Sequence, residues 1–226
     1  MKSIFFVLLF LFFAISVNGQ PVSNEFGGET KTYTFQFGKE KLGASKTIEF
    51  FDKNNKLRKE IRFLSNSYSK ERGRYKEEWY YYLSGKVNKI INYYTTDYIK
   101  KNNIIKTIHY WDENKTLLKF ESTRSKAFSD KEGIYKAITY FNKSKKPTQI
   151  EYYFNSKIVL NLGRFKKTVF IDENGRNVKD IDFYTSTYSK KHGYNKVIIN
   201  YDTFNKIQNK TYENDPLIKY EALSTE

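Results

Sequence analysis

Apolar and polar residues alternate along most of this chain, and the alternation recurs every thirty residues. Ile48 and Phe50, Ile108 and Tyr110, and Ile138 and Tyr140 stand at equivalent places with one residue between them. Period-two alternation of β-branched and aromatic residues predicts half-buried strands. The adjacent column, Phe51, Tyr81, Trp111, Phe141, Ile171 and Tyr201, is expected on the opposite face. Asp52, Asp112, Asn142, Asp172 and Asp202 follow it, and DKNNK at 52–56, LSGK at 83–86 and DENGR at 172–176 carry turn chemistry. A second strand is expected after each turn, on Leu57, Ile61 and Phe63, on Val87, Ile91 and Tyr93, and on Ile181 and Phe183. In the third and fourth repeats the apolar positions move by one, to Leu118 and Phe120 and to Ile150, Tyr152 and Phe154. Such a slip predicts a bulge or a shortened turn there.

Glycines at 43, 73, 133, 163 and 193 keep the thirty-residue spacing, and Asn103 fills the gap. Asn is the usual substitute where the backbone takes positive φ, so this column predicts a turn. The segments before it, FLSNSYSKERGRYK at 63–76 and FYTSTYSKKHGYNK at 183–196, are polar. They are expected to continue the second strand into an exposed loop. No stretch after residue 19 sustains helical periodicity, so an all-β fold is predicted: an elongated meander sheet or solenoid-like stack of about six thirty-residue hairpins. The repeats span 43–212, with an N-terminal cap or entry hairpin at 20–42 and a C-terminal cap or loose tail at 213–226.

The first nineteen residues stand apart. Lys2, the apolar run from Ile4 to Ile15, and the small residues Val17 and Gly19 have the layout of a cleavable secretory signal. This predicts a secreted, periplasmic or envelope location. The chain has no cysteine, which removes disulfides, thiolate metal sites and a cysteine nucleophile. Its formal charge of +15 favours anionic partners: an acidic glycan, the envelope surface or an acidic protein, with nucleic acid ranked lower for a secreted chain.

Aromatic–x–(Asp/Asn)–x–x–Gly–(Lys/Arg) hairpins in series, carried by YYYLSGKVNK at 80–89 and FIDENGRNVK at 170–179, resemble the MORN-like repeats of bacterial YwqK-type antitoxin-family proteins. The RHS/YD-type repeats share the aromatic, Asp and Gly-Arg features. The resemblance implies stacked hairpins and a non-catalytic interaction role.

Two sets of residues stand out as candidate binding positions. Lysine fills one column completely, at Lys46, Lys76, Lys106, Lys136, Lys166 and Lys196, and Lys56, Lys86, Lys146, Arg176 and Lys206 form a second basic row near the first turn. Such rows can track a regularly charged polymer, or serve as a solvated rim that blocks edge pairing. Trp79, Tyr81, Trp111, Phe141 and Tyr201 form a candidate aromatic strip for glycan or protein contact, against the simpler use of covering the sheet. Catalysis and cofactors find little support. His109 and His192 lie in different columns, and the paired carboxylates Glu77 and Glu78, Asp112 and Glu113, and Asp172 and Glu173 fall on opposite strand faces or in turns. The expected function is a non-catalytic binding or scaffold module. The alternatives are a carbohydrate-active enzyme or its accessory, and an immunity-like protein that neutralises a toxin.

Overall fold

The computed structural model describes residues 23–35 and 42–218. The signal segment 1–19 and the last residues of the tail lie outside them. Thirteen strands form one antiparallel sheet in which every strand pairs with its neighbours in sequence. Strand β1 (Gly27–Thr34) enters the sheet, and six hairpins follow: β2 (Ala44–Asp52) with β3 (Leu57–Leu64), β4 (Arg74–Tyr81) with β5 (Val87–Tyr94), and β6 (Ile104–Trp111) with β7 (Leu117–Arg124). The others are β8 (Ile134–Phe141) with β9 (Pro147–Phe154), β10 (Arg164–Ile171) with β11 (Asn177–Tyr184), and β12 (Lys196–Tyr201) with β13 (Ile207–Glu213). The sheet is an open meander, as the alternation predicts.

The hairpin turns form because the Asp column staples them. Asp52 Oδ1 accepts from the amides of Asn54 and Lys56 at 2.9 and 3.0 Å, and Asp112, Asn142, Asp172 and Asp202 repeat the pair of bonds. Three residues on, Asn55, Gly85, Lys115, Lys145, Gly175 and Asn205 take positive φ, the left-handed residue that closes a type I turn with a bulge.

At the opposite end the structure departs from expectation. The polar return is a seven-residue helix in each of five connections: α1 (Asn66–Arg72), α2 (Thr96–Asn102), α3 (Lys126–Glu132), α4 (Ser156–Leu162) and α5 (Ser186–His192). Each follows Ser65, Thr95, Ser125, Asn155 or Thr185, and the last four accept an amide bond as an N-cap does. Each ends on the Gly/Asn column in the left-handed conformation; Asn103 has φ 59°. A two-turn helix resting on a sheet turns only two adjacent residues inward, too few to show a period. The first of the two is Tyr68, Tyr98, Phe128, Ile158 or Tyr188, and the second is buried in α3 and α4, at Ser129 and Val159. At four of the five helices the ring or Ile158 fits because the preceding column residue is glycine: a Cβ on Gly73 or Gly163 would come within 2.3 Å of Tyr98 or 2.4 Å of Tyr188, whereas Phe128 follows Asn103. The N-cap amide also bonds back one repeat, as in Thr95 N to Gly73 O at 2.9 Å and Thr185 N to Gly163 O at 2.8 Å.

The expected slip in the third and fourth repeats is not a slip of backbone. All five of these hairpins, from β2–β3 to β10–β11, have the same register and bulges: Phe51 pairs with Leu57, Trp111 with Leu117, and Phe141 with Pro147. What changes is chemistry. Glu121 and Glu151 stand where Ile61, Ile91 and Ile181 stand elsewhere, which leaves Phe120 and Ile150 apolar on the other face.

A single sheet has no layer behind it, so its interior is the space between neighbouring side chains on each face. Buried apolar residues are few and scattered, such as Ala137, Ile138, Val169 and Val197, and buried carboxylates and amides sit among them. No large side chain among the described residues is fully buried. The chain past β13 is held by Asn195, whose side chain bonds Asp215 O at 2.7 Å and Asp215 N at 2.8 Å. Among the described residues no helix is long and apolar enough to cross a membrane.

Candidate functional site

Register and alternation assign every strand residue to one of two faces. Face A carries the lysine column. Lys46 pairs with Phe63, Phe63 with Lys76, Lys76 with Tyr93, and Tyr93 with Lys106. The row runs on through Thr123, Lys136, Tyr153, Lys166 and Phe183 to Lys196. A second, parallel row alternates in the opposite phase: Phe50, Lys59, Tyr80, Lys89, Tyr110, Lys119, Tyr140. Lysines on alternate strands stand about 10 Å apart. Their stems cross the rings between them, with Lys76 Nζ 4.4 Å from the Tyr93 centroid and Lys89 Nζ 3.7 Å from that of Tyr80.

Between the two rows lies a third, of isoleucines interrupted by Glu78, Glu121 and Glu151. Each carboxylate is buried and bonded on several sides. Glu78 receives Lys76 at 2.7 Å, Tyr80 at 3.0 Å and Tyr93 at 3.1 Å. Glu121 bridges Lys119 at 2.8 Å and Lys136 at 2.9 Å, and Glu151 binds Lys166 at 2.6 Å. Burial pushes these carboxyls up, but the lysine and tyrosine bonds outweigh it and hold all three below the ordinary glutamate range. Burial, and then the same carboxylates, push the Tyr93, Tyr110 and Tyr140 hydroxyls up to about 12.

The six lysines of the column therefore differ. Lys76, Lys136 and Lys166 are half-buried and neutralised within the sheet, and Lys196 meets Glu213 at 2.7 Å on the last strand. Lys46 is exposed over the Phe63 ring, and Lys106 lies between Tyr93 and Thr123, where no carboxylate among the described residues reaches it. In the row at the turns, Lys56, Lys86, Lys146 and Lys206 are exposed, whereas Arg176 is bound to Asp172 at 2.7 Å.

Face B carries Trp79, Tyr81, Trp111, Phe141 and Tyr201, all half-buried, and the helices cover one end of it. These aromatics do not make a uniform strip, because four of the five are tied to different partners. Trp79 Nε1 donates to Glu77 at 2.9 Å, Tyr81 to Glu60 at 2.9 Å, and Tyr201 to Asp180 at 2.8 Å. Trp111 stacks on His109 with centroids 5.5 Å apart. Among the first three repeats Trp79 and Trp111 border a cavity of 450 Å³, lined also by Arg62, Arg72, Arg74, Glu77 and His109, among others. Sequence reasoning singled out the two tryptophans but not the arginines. Arg62 and Arg72 have dissimilar column mates and Arg74 recurs only as Arg164, so the repeat signal that marks them is weak.

His192 stacks on Tyr188 at 4.1 Å, far along the sheet from His109. Glu77 and Glu78 point to opposite faces, and Asp112 and Asp172 are occupied in turns. Among the described residues no group of three or more His, Asp or Glu side chains is placed to hold a metal. Neither a family model nor a curated protein matches this chain.

Proposed function

We propose that this protein is a secreted or envelope-associated, non-catalytic binding and scaffold module whose face A holds an anionic polymer. The observation that supports this most is the lysine excess of face A. Lys46, Lys89, Lys106 and Lys179 have no carboxylate partner among the described residues, while the other lysines of that face are matched by Glu25, Glu78, Glu121, Glu151 and Glu213. The lysines stand on a regular lattice set by strand spacing, and the rings between them hold the ammonium groups along the face. An extended polymer with regularly spaced carboxylates or sulfates matches such a lattice better than a single small anion does. The likeness to MORN-like units is in keeping with an interaction role.

Retention of the full chain on immobilised heparin, measured against salt, tests the proposal. Binding should weaken steeply as salt rises and weaken further in a Lys46→Gln/Lys106→Gln variant. Retention that is indifferent to salt and to both substitutions would refute it.

A further inference from the structure

The cavity on face B is built differently from everything else on the sheet. It contains both tryptophans of the chain and one of its two histidines. Its volume lies within the range of small-ligand clefts, about 300–1,000 Å³. Two of its three arginines are already satisfied. Arg62 makes two 2.7 Å bonds to Glu60 and lies 4.4 Å over the Trp79 ring. Arg74 bonds Glu77 and Asn92, each at 2.9 Å. Arg72, in the last turn of α1, is exposed; its guanidinium rests against Tyr68 at 5.5 Å, and no carboxylate among the described residues reaches it.

The remaining polar groups point the same way. Asn92 Nδ2 lies 3.5 Å from His109 Nδ1, and an amide nitrogen can only donate. His109 Nδ1 therefore accepts, and Nε2 carries the proton. Burial, and then Arg74, hold the His109 pKa below its ordinary value, so the ring is neutral near pH 7 and offers one N–H. The groove thus combines two indoles, an excess of donors and one uncompensated positive charge.

We propose that this groove binds a sugar ring bearing an anionic substituent, a carboxylate or a sulfate, with the ring against the Trp79 and Trp111 indoles and the anionic group toward Arg72. Indoles suit the apolar face of a pyranose. A charge-assisted bond to guanidinium supplies the preference for the anion. A ligand of one or two rings needs none of the lysine rows, so this site is independent of face A.

The two tryptophans make the test direct, because both report from the groove. The full chain is titrated with a glucuronate-containing disaccharide, a sulfated disaccharide and a neutral disaccharide, following tryptophan emission. A saturable change is expected, with at least one anionic sugar binding on the order of tenfold more tightly than the neutral one. Whichever anion binds more tightly identifies the substituent. Arg72→Gln should abolish that preference without altering the unfolding midpoint, since Arg72 is exposed and forms no ion pair among the described residues. Lys46→Gln/Lys106→Gln should leave the disaccharide response intact even where heparin retention falls. No emission change with any sugar, equal affinity for neutral and anionic sugars, a preference that survives Arg72→Gln, or a response lost in the lysine variant would each overturn the proposal.

Discussion

At the position of Lys76 every repeat carries lysine; at the position of Trp79 the repeats carry Glu49, Trp79, His109, Thr139, Val169 and Ile199. Both positions lie on the same strands, three residues apart, but on opposite faces. Face A is solved once and copied. Its lysine stems lie across neighbouring rings along most of the sheet, and carboxylates sit among them at Glu78, Glu121 and Glu151. Face B varies its charge pairs along the chain, Arg62 with Glu60, Arg74 with Glu77, Lys167 with Asp180 and Arg164 with Asp182, and repeats a pairing only at distant repeats, as in Tyr81 with Glu60 and Tyr201 with Asp180. In a single-layer sheet neither face can rely on a second layer to exclude water. Constancy on one face and variety on the other therefore reflect two ways of pairing neighbours. The uniform face suits a repeating partner, and the varied face can hold one particular ligand.

The largest test of this contrast concerns Asp180, buried on face B with Lys167 Nζ at 2.6 Å and the Tyr201 hydroxyl at 2.8 Å. Asp180→Ile should cost about 3 kcal/mol in urea unfolding, because it strands Lys167. Adding Lys167→Ala copies the Ala137 and Ile150 combination of the fourth repeat and should recover most of that loss. A neutral single substitution would mean that face B does not depend on its local pairs.

Glu121→Ile makes the corresponding change on face A, reproducing the Ile91 of the second repeat. It should cost less, about 1–2 kcal/mol, because the Glu121 carboxylate is less deeply buried than that of Asp180 (9% against 3% exposed). A loss as large as that of Asp180→Ile would erase the distinction between the faces.

The pH dependence follows from the same row. Glu78, Glu121 and Glu151 have lowered folded pKa values, so their contribution is present above the ordinary glutamate value, near pH 4.3, and is lost as pH falls through the folded values. Tyr93, Tyr110 and Tyr140 are raised to about 12, so their contribution is complete below the ordinary tyrosine value and declines as pH climbs from about 10 towards 12. Melting temperature should thus stay flat between these limits and fall outside both, and Glu121→Ile should soften the acid limb.

The smallest effect is expected at Lys106. Lys106→Gln should change stability by less than about 0.5 kcal/mol, since no carboxylate among the described residues depends on it. It should still reduce heparin retention at low salt.

Much of face A was legible in the sequence, because a column filled six times by lysine or five times by an aromatic residue is visible without a structure. The turns were legible too, through the Asp column and the Gly/Asn column. The helices were not, although Ser65, Thr95, Ser125, Asn155 and Thr185 form a capping column that would have announced them. Only two adjacent inward residues per helix were available, and a single adjacent pair sets no period. Glu121 and Glu151 looked like a shift of register because alternation alone cannot tell a moved backbone from a carboxylate placed deliberately among lysines. The groove was hidden for another reason: Arg62, Trp79 and His109 come from three repeats and meet only through strand pairing.

The strand order has a mechanical consequence. In a meander the first and last strands are the two edges of the sheet, so tension applied between them acts across the strands, along the hydrogen bonds. The ladders then open one after another, as a zipper does, instead of resisting together in shear. Pulled from its ends, such a sheet yields at low force in nearly equal steps, one hairpin at a time, and can shorten again by re-forming its last hairpin.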